Sequence, residues 1–292
     1  MKAIRTHQTG GPETLTLDEL PDPVPGKGEV LVAVKACAIN FPDGLIIRDL
    51  YQFKPPRPFS PGGEIAGVIE ALGEGVEGFA VGDRVLAGIG HGGLAEKVVV
   101  PAGRMFKVPD GVPFEKAASL LMTYGTTIHG LKDRGHIKPG DTVLVLGAAG
   151  GVGLAAVELA KAFGARVVAA VSSEAKGEVA RKAGADEVVI YPREAMDKEA
   201  SKALADAFKK ACGPEGANIV YDIVGGQYSE PALRAIAWEG RFLVVGFPAG
   251  IAKMPLNLTL LKSCDICGVF WGAFTAREPK PGSGPRWRNC ST

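Results

Sequence analysis

The segment TVLVLGAAGGVGLAAVELAKAFG, residues 142–164, decides the fold of this chain. It opens with TVLVLG, an apolar run that is typical of a buried strand. It closes with VGLAAVELAKAFG, residues 152–164, which has the composition and apolar spacing of a helix. Between the two lie Gly150, Gly151 and Gly153. A strand that passes through a glycine turn directly into a helix predicts the start of a βαβ unit.

The three glycines have the spacing that a dinucleotide-binding turn requires. The backbone must turn sharply, come close to a pyrophosphate, and aim the N–H groups of a helix N-terminus at it. Ala148 stands at the first position of the Gly-x-Gly-x-x-Gly pattern. The alternative is a glycine-rich turn that binds nothing, but the position between a strand and a helix favours a dinucleotide site.

Downstream of this turn, apolar strands continue to alternate with helices. The predicted strands are RVVAAV (166–171), EVVIY (187–191), NIVYDIV (218–224) and RFLVVG (241–246). A helix is predicted near 198–211, where Leu204, Ala207, Phe208 and Ala211 share one face. The pattern predicts a doubly wound parallel sheet.

Residues 1 to about 118 have a different sequence pattern. Short β-rich runs are separated by turns, and many glycines and prolines stand at the ends of the runs. The runs are KAIRT, TLTLDEL, EVLVAVKACAIN, EIAGVIEAL, DRVLAGI and AEKVVV. This spacing predicts an antiparallel, barrel-like domain.

The composition excludes several classes of protein. Glycine accounts for 40 of 292 residues, yet 46% of the chain is hydrophobic, which indicates a folded protein rather than a disordered one. The net charge of +1 gives no footprint of a nucleic-acid or membrane binder, so a small-molecule partner is expected. Five scattered cysteines and no long apolar stretch favour a soluble cytoplasmic protein with reduced thiols.

The end of the second predicted strand favours NADPH over NADH. NAD sites usually place an acid here, about 20 residues after the glycine turn, to bind the ribose 2′-hydroxyl. This chain has Ser172 and Ser173 instead, with Lys176 and Arg181 nearby, which suits a 2′-phosphate. Glu174, directly after the two serines, is the residue that argues against this, and we interpret it as a first-turn acid favoured by the helix dipole.

Seven phrases give the chain a family resemblance: PVPGKGEVLV, NFPD, PFSPGGEIAGVI, GVEGFAVGDRV, IKPGDTVLVLGAAGGVG, GADEVVIY and GRFLVVG. Together they cover about residues 1–275 in order. The chain resembles the medium-chain dehydrogenase/reductase superfamily, and within it the zinc-free NADPH:quinone oxidoreductase (zeta-crystallin-like) branch. The resemblance implies an α/β fold with a GroES-like β-barrel domain at residues 1–121 and an NADPH-binding Rossmann domain at 122–275.

The resemblance also implies a set of site residues. Asn40 and Tyr51 would face the substrate and the nicotinamide from the barrel domain, and Thr127 would contact the carboxamide. Tyr51 is in addition a candidate proton donor or polariser, although a surface-loop role is the alternative. For Thr127 the alternative is a hydroxyl bonded to its own helix backbone, and for Tyr191 it is a strand-end anchor. The remaining cofactor contacts would be Gly150, Gly151, Val152 and Gly153 at the pyrophosphate, Ser172, Ser173, Lys176 and Tyr191 at the 2′-phosphate, and Phe242, Gly246, Phe247, Phe270 and Trp271 near the nicotinamide, with Val269 to Trp271 as the last strand.

Residue chemistry argues against a zinc site. Zinc-using members of the superfamily have a cysteine and a histidine where this chain has Asn40 and Gly63, and neither of these can supply a thiolate or imidazole ligand. Cys264 and Cys267 form a Cys-x-x-Cys pair with no second pair, which favours packed thiols. We therefore expect no metal.

Without a Lewis acid, the expected reaction is hydride delivery from NADPH to an electrophilic acceptor, a quinone or an α,β-unsaturated carbonyl. Three alternatives remain: an NADPH-binding protein with little catalysis, an enoyl thioester reductase of the same superfamily, and a zinc alcohol dehydrogenase. The apolar strand CDICGVFW is a natural edge for a homodimer.

The ending departs from the family pattern. Relatives would continue for another segment that returns to the first domain, whereas this chain ends in PGSGPRWRNCST. This composition predicts a disordered tail over residues 276–292 and a truncated or altered C-terminus.

Overall fold

The computed structural model describes residues 1–277 of the chain. The chain divides into two compact units, Met1–Met122 and Thr123–Thr292. The predicted tail at 276–292 lies outside the described residues except for Ala276 and Arg277.

The first unit is built on an antiparallel sheet. Its elements, in chain order, are β1 (Lys2–Thr6), β2 (Leu15–Glu19), β3 (Glu29–Ala38), α1 (Phe41–Ile46), β4 (Glu64–Leu72), β5 (Arg84–Gly88), β6 (Lys97–Pro101), β7 (Met105–Lys107) and α2 (Phe114–Ala118). Five strands pair in the order β6-β3-β4-β5-β7, and β1 pairs with β2. The core of the sheet contains Val30, Val32, Ile65 and Val85, all fully buried.

An irregular helical segment covers residues 121–134. Its first two residues close the first unit, and the rest of it opens the second unit at Thr123. Two π-helical turns, Leu121–Gly125 and His129–Arg134, flank α3 (Thr126–Ile128). The elements that follow are β8 (Thr142–Leu146), α4 (Gly151–Ala162), β9 (Arg166–Val171), α5 (Glu174–Lys182), β10 (Glu187–Ile190), α6 (Lys198–Cys212), β11 (Ala217–Asp222), α7 (Ser229–Arg234), β12 (Ile236–Val244), α8 (Asn257–Lys262), β13 (Asp265–Gly268) and α9 (Trp271–Ala276).

Within the described residues, the strands of this unit form a parallel sheet in the order β10-β9-β8-β11-β12-β13. Each strand is apolar on both faces because a core lies on either side. Leu144 and Leu146 of β8 belong to one core, and Val143 and Val145 belong to the other. The strand order reverses between β8 and β11, so a ligand crevice is expected at the carboxyl ends of these two strands. This is the doubly wound sheet that the sequence predicts.

The prediction for the last strand was wrong. Val269 to Trp271 were expected to form it, but β13 ends at Gly268 and Trp271 begins α9. The neighbouring strand β12 ends at Val244, which is the residue paired with Gly268. Val269 still donates its N–H to the carbonyl of Val244, the last residue of β12.

In the part of the chain that the structure describes, we find no helix with the length and apolarity needed to span a membrane.

Candidate functional site

The glycine turn lies at the carboxyl end of β8. Gly147 leaves the strand with φ +73°, Ala148 is fully buried, and Gly150 precedes the first residue of α4. The carbonyl of Gly150 accepts the N–H of Leu154 at 2.7 Å. Because α4 begins at Gly151, the first N–H groups of this 12-residue helix have no partner within the helix.

Two of the glycines are required by packing within the chain. A Cβ on Gly153 would lie 2.2 Å from the carbonyl oxygen of Gly147 and 2.8 Å from the Cα of Ala148. A Cβ on Gly147 would lie 2.8 Å from the Cγ2 atom of Val224, in addition to the strain of its positive φ. These positions let α4 start directly against the end of β8.

Gly150 and Gly151 have no such requirement. The nearest atom to a Cβ on Gly150 would be the carbonyl oxygen of Gly147 at 3.5 Å, an ordinary contact. For Gly151 it would be the Cγ2 atom of Thr123 at 3.3 Å, which is only slightly tight. A Cβ on Gly150 would therefore fill space without crowding the chain, which is the kind of cradle a pyrophosphate needs.

A buried carboxylate that the sequence analysis missed organises the loop after β11. Asp222 is 2% exposed, and its Oδ1 atom accepts the N–H groups of Val224 and Gly225 at 2.9 and 2.8 Å. Its Oδ2 atom accepts the hydroxyl of Ser229 at 2.6 Å. Burial raises the pKa of Asp222 despite these bonds. Its signal in the sequence was a lone acid at the end of the apolar strand NIVYDIV.

The loop after β12 is fixed against the loop after β11. Gly225 has φ +74°, and a Cβ there would lie 2.6 Å from the Cβ of Phe247. Gly246 and Phe247 therefore lie beside the crevice edge, with Phe247 half exposed at 46%. Phe242 lies in the middle of β12 and is 1% exposed, so its ring packs the core and has almost no surface to offer a cofactor.

The end of β9 carries a small basic corner. Ser172 directly follows the strand, and the ammonium of Lys176 donates to its hydroxyl at 3.2 Å. Ser173 is the N-cap of α5 and accepts the N–H of Lys176 at 3.4 Å. Among the described residues, no carboxylate lies within ion-pair distance of the Lys176 ammonium. This ammonium is therefore available for an anion.

Both acids of α5 are paired with Arg181. The Nη1 atom of Arg181 lies 2.6 Å from the carboxylate of Glu174 and 2.5 Å from that of Glu178. The Glu174 carboxylate is thus bound to Arg181, along the same helix. Arg181 is engaged in the same two pairs, which leaves Lys176 as the free cation of this corner.

Tyr191 comes directly after β10, the strand paired with β9. Its N–H donates to the carbonyl of Val171 at 2.9 Å, and its ring centroid lies 4.5 Å from that of Tyr228. Burial raises the pKa of Tyr191 to about 12, so its phenol stays protonated. The β9–β10 register places it next to Ser172 at the same sheet edge.

Thr127 links the helical segment to the glycine turn. Its side chain is fully buried; its hydroxyl donates to the carbonyl of Thr123 at 2.8 Å and accepts from the phenol of Tyr221 at 3.2 Å. The carbonyl of Val152 lies 3.4 Å from the same hydroxyl oxygen. Thr127 thus packs the first turn of α4, while a contact with a carboxamide stays a prediction.

Trp271 and Phe274 pack against this helical segment. A Cβ on Gly125 would lie 2.8 Å from the Cζ2 atom of Trp271, so the indole ring lies directly on that glycine. His129 stacks on Phe274 at 4.1 Å between ring centroids. Phe270 and Trp271 were both predicted to lie near the nicotinamide, and Phe270, at 51% exposed, is the more accessible of the two.

In the first unit, Asn40 lies at the centre of a buried polar network. It is the residue that precedes α1, and its backbone N–H donates to the Oδ2 atom of Asp43 at 2.7 Å. The Nδ2 atom of its side chain donates to the Oε2 atom of Glu64 at 3.2 Å. The Oε1 atom of Glu64 accepts the N–H of Met122 at 3.0 Å. Asp43 also accepts the N–H of Gly62 at 3.0 Å through its Oδ1 atom.

Both carboxylates of the network have raised pKa values. Glu64 is 1% exposed, and burial raises its pKa to about 7, while its hydrogen bonds to Met122, Asn40 and Leu121 oppose the shift. Burial also raises the pKa of Asp43, against the hydrogen bonds it accepts from backbone N–H groups. The sequence analysis assigned no role to Glu64. Its signal was an acid at the first position of the apolar strand EIAGVIEAL.

Tyr51 lies apart from this network in its contacts. Its half-buried ring packs on the small core of Ile46, Ile47 and Phe59, and burial raises the pKa of its phenol. The structure brings Asn40 together with Glu64 and Asp43, and within residues 1–277 no hydrogen bond joins Tyr51 to them.

The positions expected to lack zinc ligands have other structural roles. A Cβ on Gly63 would lie 3.1 Å from the carbonyl oxygen of Gly90, and the amide of Asn40 is bound to Glu64. Cys264 and Cys267 are buried on the two sides of the sheet, in different cores. Within residues 1–277, no three His, Cys, Asp or Glu residues group as metal ligands.

Known families and structures match this chain. The family "Alcohol dehydrogenase GroES-like domain" matches residues 26–110, and the family "Zinc-binding dehydrogenase" matches residues 151–281. Quinone oxidoreductase-like protein 2 of Rattus norvegicus is 40% identical over 91% of this chain and 74% of its own length.

Two solved structures are similar over most of their length. The quinone oxidoreductase of Escherichia coli complexed with NADPH is 30% identical with a TM-score of 0.85, covering 94% of this chain and 83% of its own. A mycobacterial protein complexed with NADPH is 35% identical with the same TM-score of 0.85 and the same coverage, 94% and 83%.

The GroES-like unit and the doubly wound unit with its glycine turn define a medium-chain dehydrogenase/reductase, an oxidoreductase that uses a nicotinamide dinucleotide. Within that class, this chain belongs to the quinone oxidoreductase family.

Proposed function

We propose that this protein is a zinc-independent reductase that uses NADPH to deliver a hydride to a quinone or an α,β-unsaturated carbonyl. The family supports a redox reaction, and two related structures contain NADPH. The observation that carries the cofactor choice is the corner at the end of β9.

Ser172, Ser173 and Lys176, which form this corner, offer a positive charge and hydrogen-bond donors that suit a 2′-phosphate. Lys176 has a free ammonium beside the hydroxyl of Ser172, and the only acid in the first turn of α5, Glu174, is bound to Arg181. NADH carries a free 2′-hydroxyl, which is usually bound by a carboxylate at this place. The combination favours a dianionic phosphate, because a charge-assisted hydrogen bond is about twice as strong as a neutral one.

The remaining assignments follow from the two units. The backbone of Gly150 and Gly151 would hold the pyrophosphate at the start of α4, where the N–H groups and the helix dipole favour an anion. NADPH supplies the hydride when it is bound. Asn40 would bind the acceptor carbonyl, because its amide N–H is a hydrogen-bond donor held in place by Glu64.

The zinc-independent part of the proposal depends on Asn40 and Gly63. An amide bound to a carboxylate and a residue with no side chain cannot replace a thiolate and an imidazole. A quinone or an enone is already electrophilic, so its reduction needs positioning more than a Lewis acid.

A panel of acceptors tests the proposal. NADPH oxidation is measured at 340 nm with 1,4-quinones, enones and enoyl thioesters, in parallel with NADH and with a chelator-treated sample. We expect turnover with quinones or enones, a strong preference for NADPH, and no loss on chelation. Equal or better turnover with NADH would contradict the role of Lys176. Tight NADPH binding with no turnover would instead select a binding protein, and turnover confined to thioesters would select an enoyl thioester reductase.

We also propose that two copies of the chain pair through β13, the strand at the end of the parallel sheet in the described residues. An unpaired strand edge is a ready template for a second copy.

A further inference from the structure

The buried network around Asn40 holds a carboxylate that the proposed reaction does not use directly. Glu64 stands at the first position of β4, where its backbone is paired with Ala38 of β3 and Gly88 of β5. A fully buried carboxylate with no basic partner is costly to keep. The free-energy cost of burying Glu64 indicates that its carboxylate has a role that a neutral side chain would not fill.

The hydrogen bonds show what the carboxylate holds. Its Oε1 atom accepts the N–H of Met122, so its Oε2 atom is left for one N–H of the Asn40 amide. An amide NH₂ group has two hydrogens. When one is fixed on Glu64, the direction of the other is fixed as well.

We infer that Glu64 is the positioning residue for Asn40: its ionised carboxylate anchors one amide hydrogen so that the other is held ready to donate to the carbonyl oxygen of the acceptor. The inference rests on the proposed function for its acceptor, but the anchoring itself belongs to the free protein. A glutamine in its place would turn an NH₂ group towards the NH₂ of Asn40, and one of the two amides would have to reverse.

Three groups face Glu64 from the elements packed around it. Asp43 on α1 is a carboxylate with a raised pKa, and Cys37 on β3 is a thiol whose pKa burial raises to about 12, so it stays neutral. The residues at 121–122 face it with backbone N–H groups, and β5 pairs with it through Gly88. The pKa of Glu64 of about 7 makes the anchor respond to pH in the working range of most enzymes.

The first experiment needs no substrate. The chain contains four asparagines, so selective ¹⁵N-asparagine labelling gives four side-chain NH₂ pairs, and Asn40→Ser identifies the pair of Asn40. We expect this pair to shift in a titration between pH 5.5 and 8.5 with a midpoint of about 7, and the shift to be absent in Glu64→Gln. The matched control, Glu77→Gln on an exposed loop, keeps the wild-type titration.

The second experiment separates binding from turnover. With a quinone that does not titrate in this range, the KM of the wild type for the acceptor is expected to rise about tenfold as Glu64 is protonated, the effect of one charge-assisted hydrogen bond, with kcat little changed. Glu64→Gln is expected to have the high KM at every pH.

The outcomes are distinguishable from those of the proposed function. An Asn40 NH₂ pair that does not move with pH in the wild type, or that moves equally in Glu64→Gln, overturns the inference whether or not any acceptor is reduced. Absence of both quinone and enone reduction with a normal Asn40 titration overturns the proposed function alone. If Glu64→Gln does not fold, ¹³C-carboxyl labelling of glutamate in the wild type decides, because the Glu64 and Asn40 signals must share one midpoint.

Discussion

At the scale of single residues, the two units hold charges of opposite kinds. The first unit buries two carboxylates, Glu64 and Asp43, in a network that costs stability. The second unit leaves the cation of Lys176 exposed and without an acidic partner in the described chain. The burial of the two carboxylates departs from what packing alone would favour, whereas an exposed lysine is ordinary; both features lie at positions that the proposed reaction uses.

Glu64 makes the stability of the protein depend on pH. Its pKa is about 7 in the folded state, above its ordinary value of 4.5, so between these values the folded chain holds a proton that the unfolded chain has lost. Stability therefore falls as the pH rises through this window. Relative to Glu64→Gln, the free energy of unfolding of the wild type should fall by about 2–3 kcal/mol between about pH 5 and 7.5. Urea denaturation of both proteins at each pH measures this, and parallel curves would contradict it.

Lys176 should contribute to the binding of NADPH but not to that of NADH. Lys176→Ala removes the ammonium that we place on the 2′-phosphate, so the KM for NADPH should rise by about 10- to 100-fold. The KM for NADH should change less than about twofold, because NADH has no phosphate there. Lys182→Ala, in the last turn of the same helix, is the matched control and should leave both constants unchanged. A similar rise in the KM for both cofactors would contradict a contact between Lys176 and the 2′-phosphate.

At the scale of elements, the glycines of the phosphate turn separate into two groups that the sequence could not distinguish. The pattern alone predicted one shared role for Gly150, Gly151 and Gly153. The structure assigns Gly153, together with Gly147, to the packing of α4 on the end of β8. A Cβ on Gly150 would make only an ordinary contact, and one on Gly151 would meet the end of the Thr123 side chain at 3.3 Å. The two groups therefore give opposite results on substitution by alanine.

Gly153→Ala should damage the fold, whereas Gly150→Ala should damage only cofactor binding. The Cβ of Gly153→Ala would meet backbone atoms at 2.2 and 2.8 Å, so the start of α4 has to shift. Such overpacking typically costs about 1–3 kcal/mol. At Gly150, with φ −83°, alanine is tolerated by the chain and should leave the Tm unchanged. Its methyl group would occupy the cradle, so the Kd for NADPH should rise at least tenfold. Thermal unfolding and NADPH titration check both variants, and unchanged NADPH binding by Gly150→Ala would contradict the cradle.

Local pattern was sufficient to predict most elements. The helix expected near 198–211 is observed at Lys198–Cys212, because Asp197 caps its start and Gly213, with φ +88°, ends it. The strand RVVAAV has its predicted bounds. Such elements carry their own start and stop signals in the sequence.

Features that depend on distant residues could not be predicted. The last strand stops where β12 ends, a limit set outside its own sequence. The partners of Glu64 come from positions 24 and 58 residues away along the chain, so its hydrogen bonds have no local signature. The helical segment at 121–134 has π-helical turns, which the 3.6-residue pattern of a regular helix does not encode. Asn40 could be selected from its motif, but its partner could not.

At the scale of the whole molecule, each unit has its own core and its own part of the chemistry. The acceptor-binding candidate, Asn40, belongs to the antiparallel unit, and the cofactor-binding candidates belong to the parallel unit. The parallel sheet has an edge strand at each end, β10 and β13, and β13 is the edge at which we propose that a second copy pairs. Helix α8, directly before this strand, leaves Leu260 and Leu261 exposed at 80% and 62%.

If two copies pair through β13, a charge introduced on this strand should break the dimer. Ile266, in the middle of this four-residue strand, is 38% exposed in the single chain, and a carboxylate there would have to be desolvated when a second strand pairs. Ile266→Asp should therefore convert a dimer to a monomer in light scattering coupled to size exclusion. The matched control, Ile251→Asp, introduces the same charge at a loop residue that is 80% exposed and should leave the dimer intact. A wild type that is monomeric, or an Ile266→Asp variant that stays dimeric, would place the interface away from this edge.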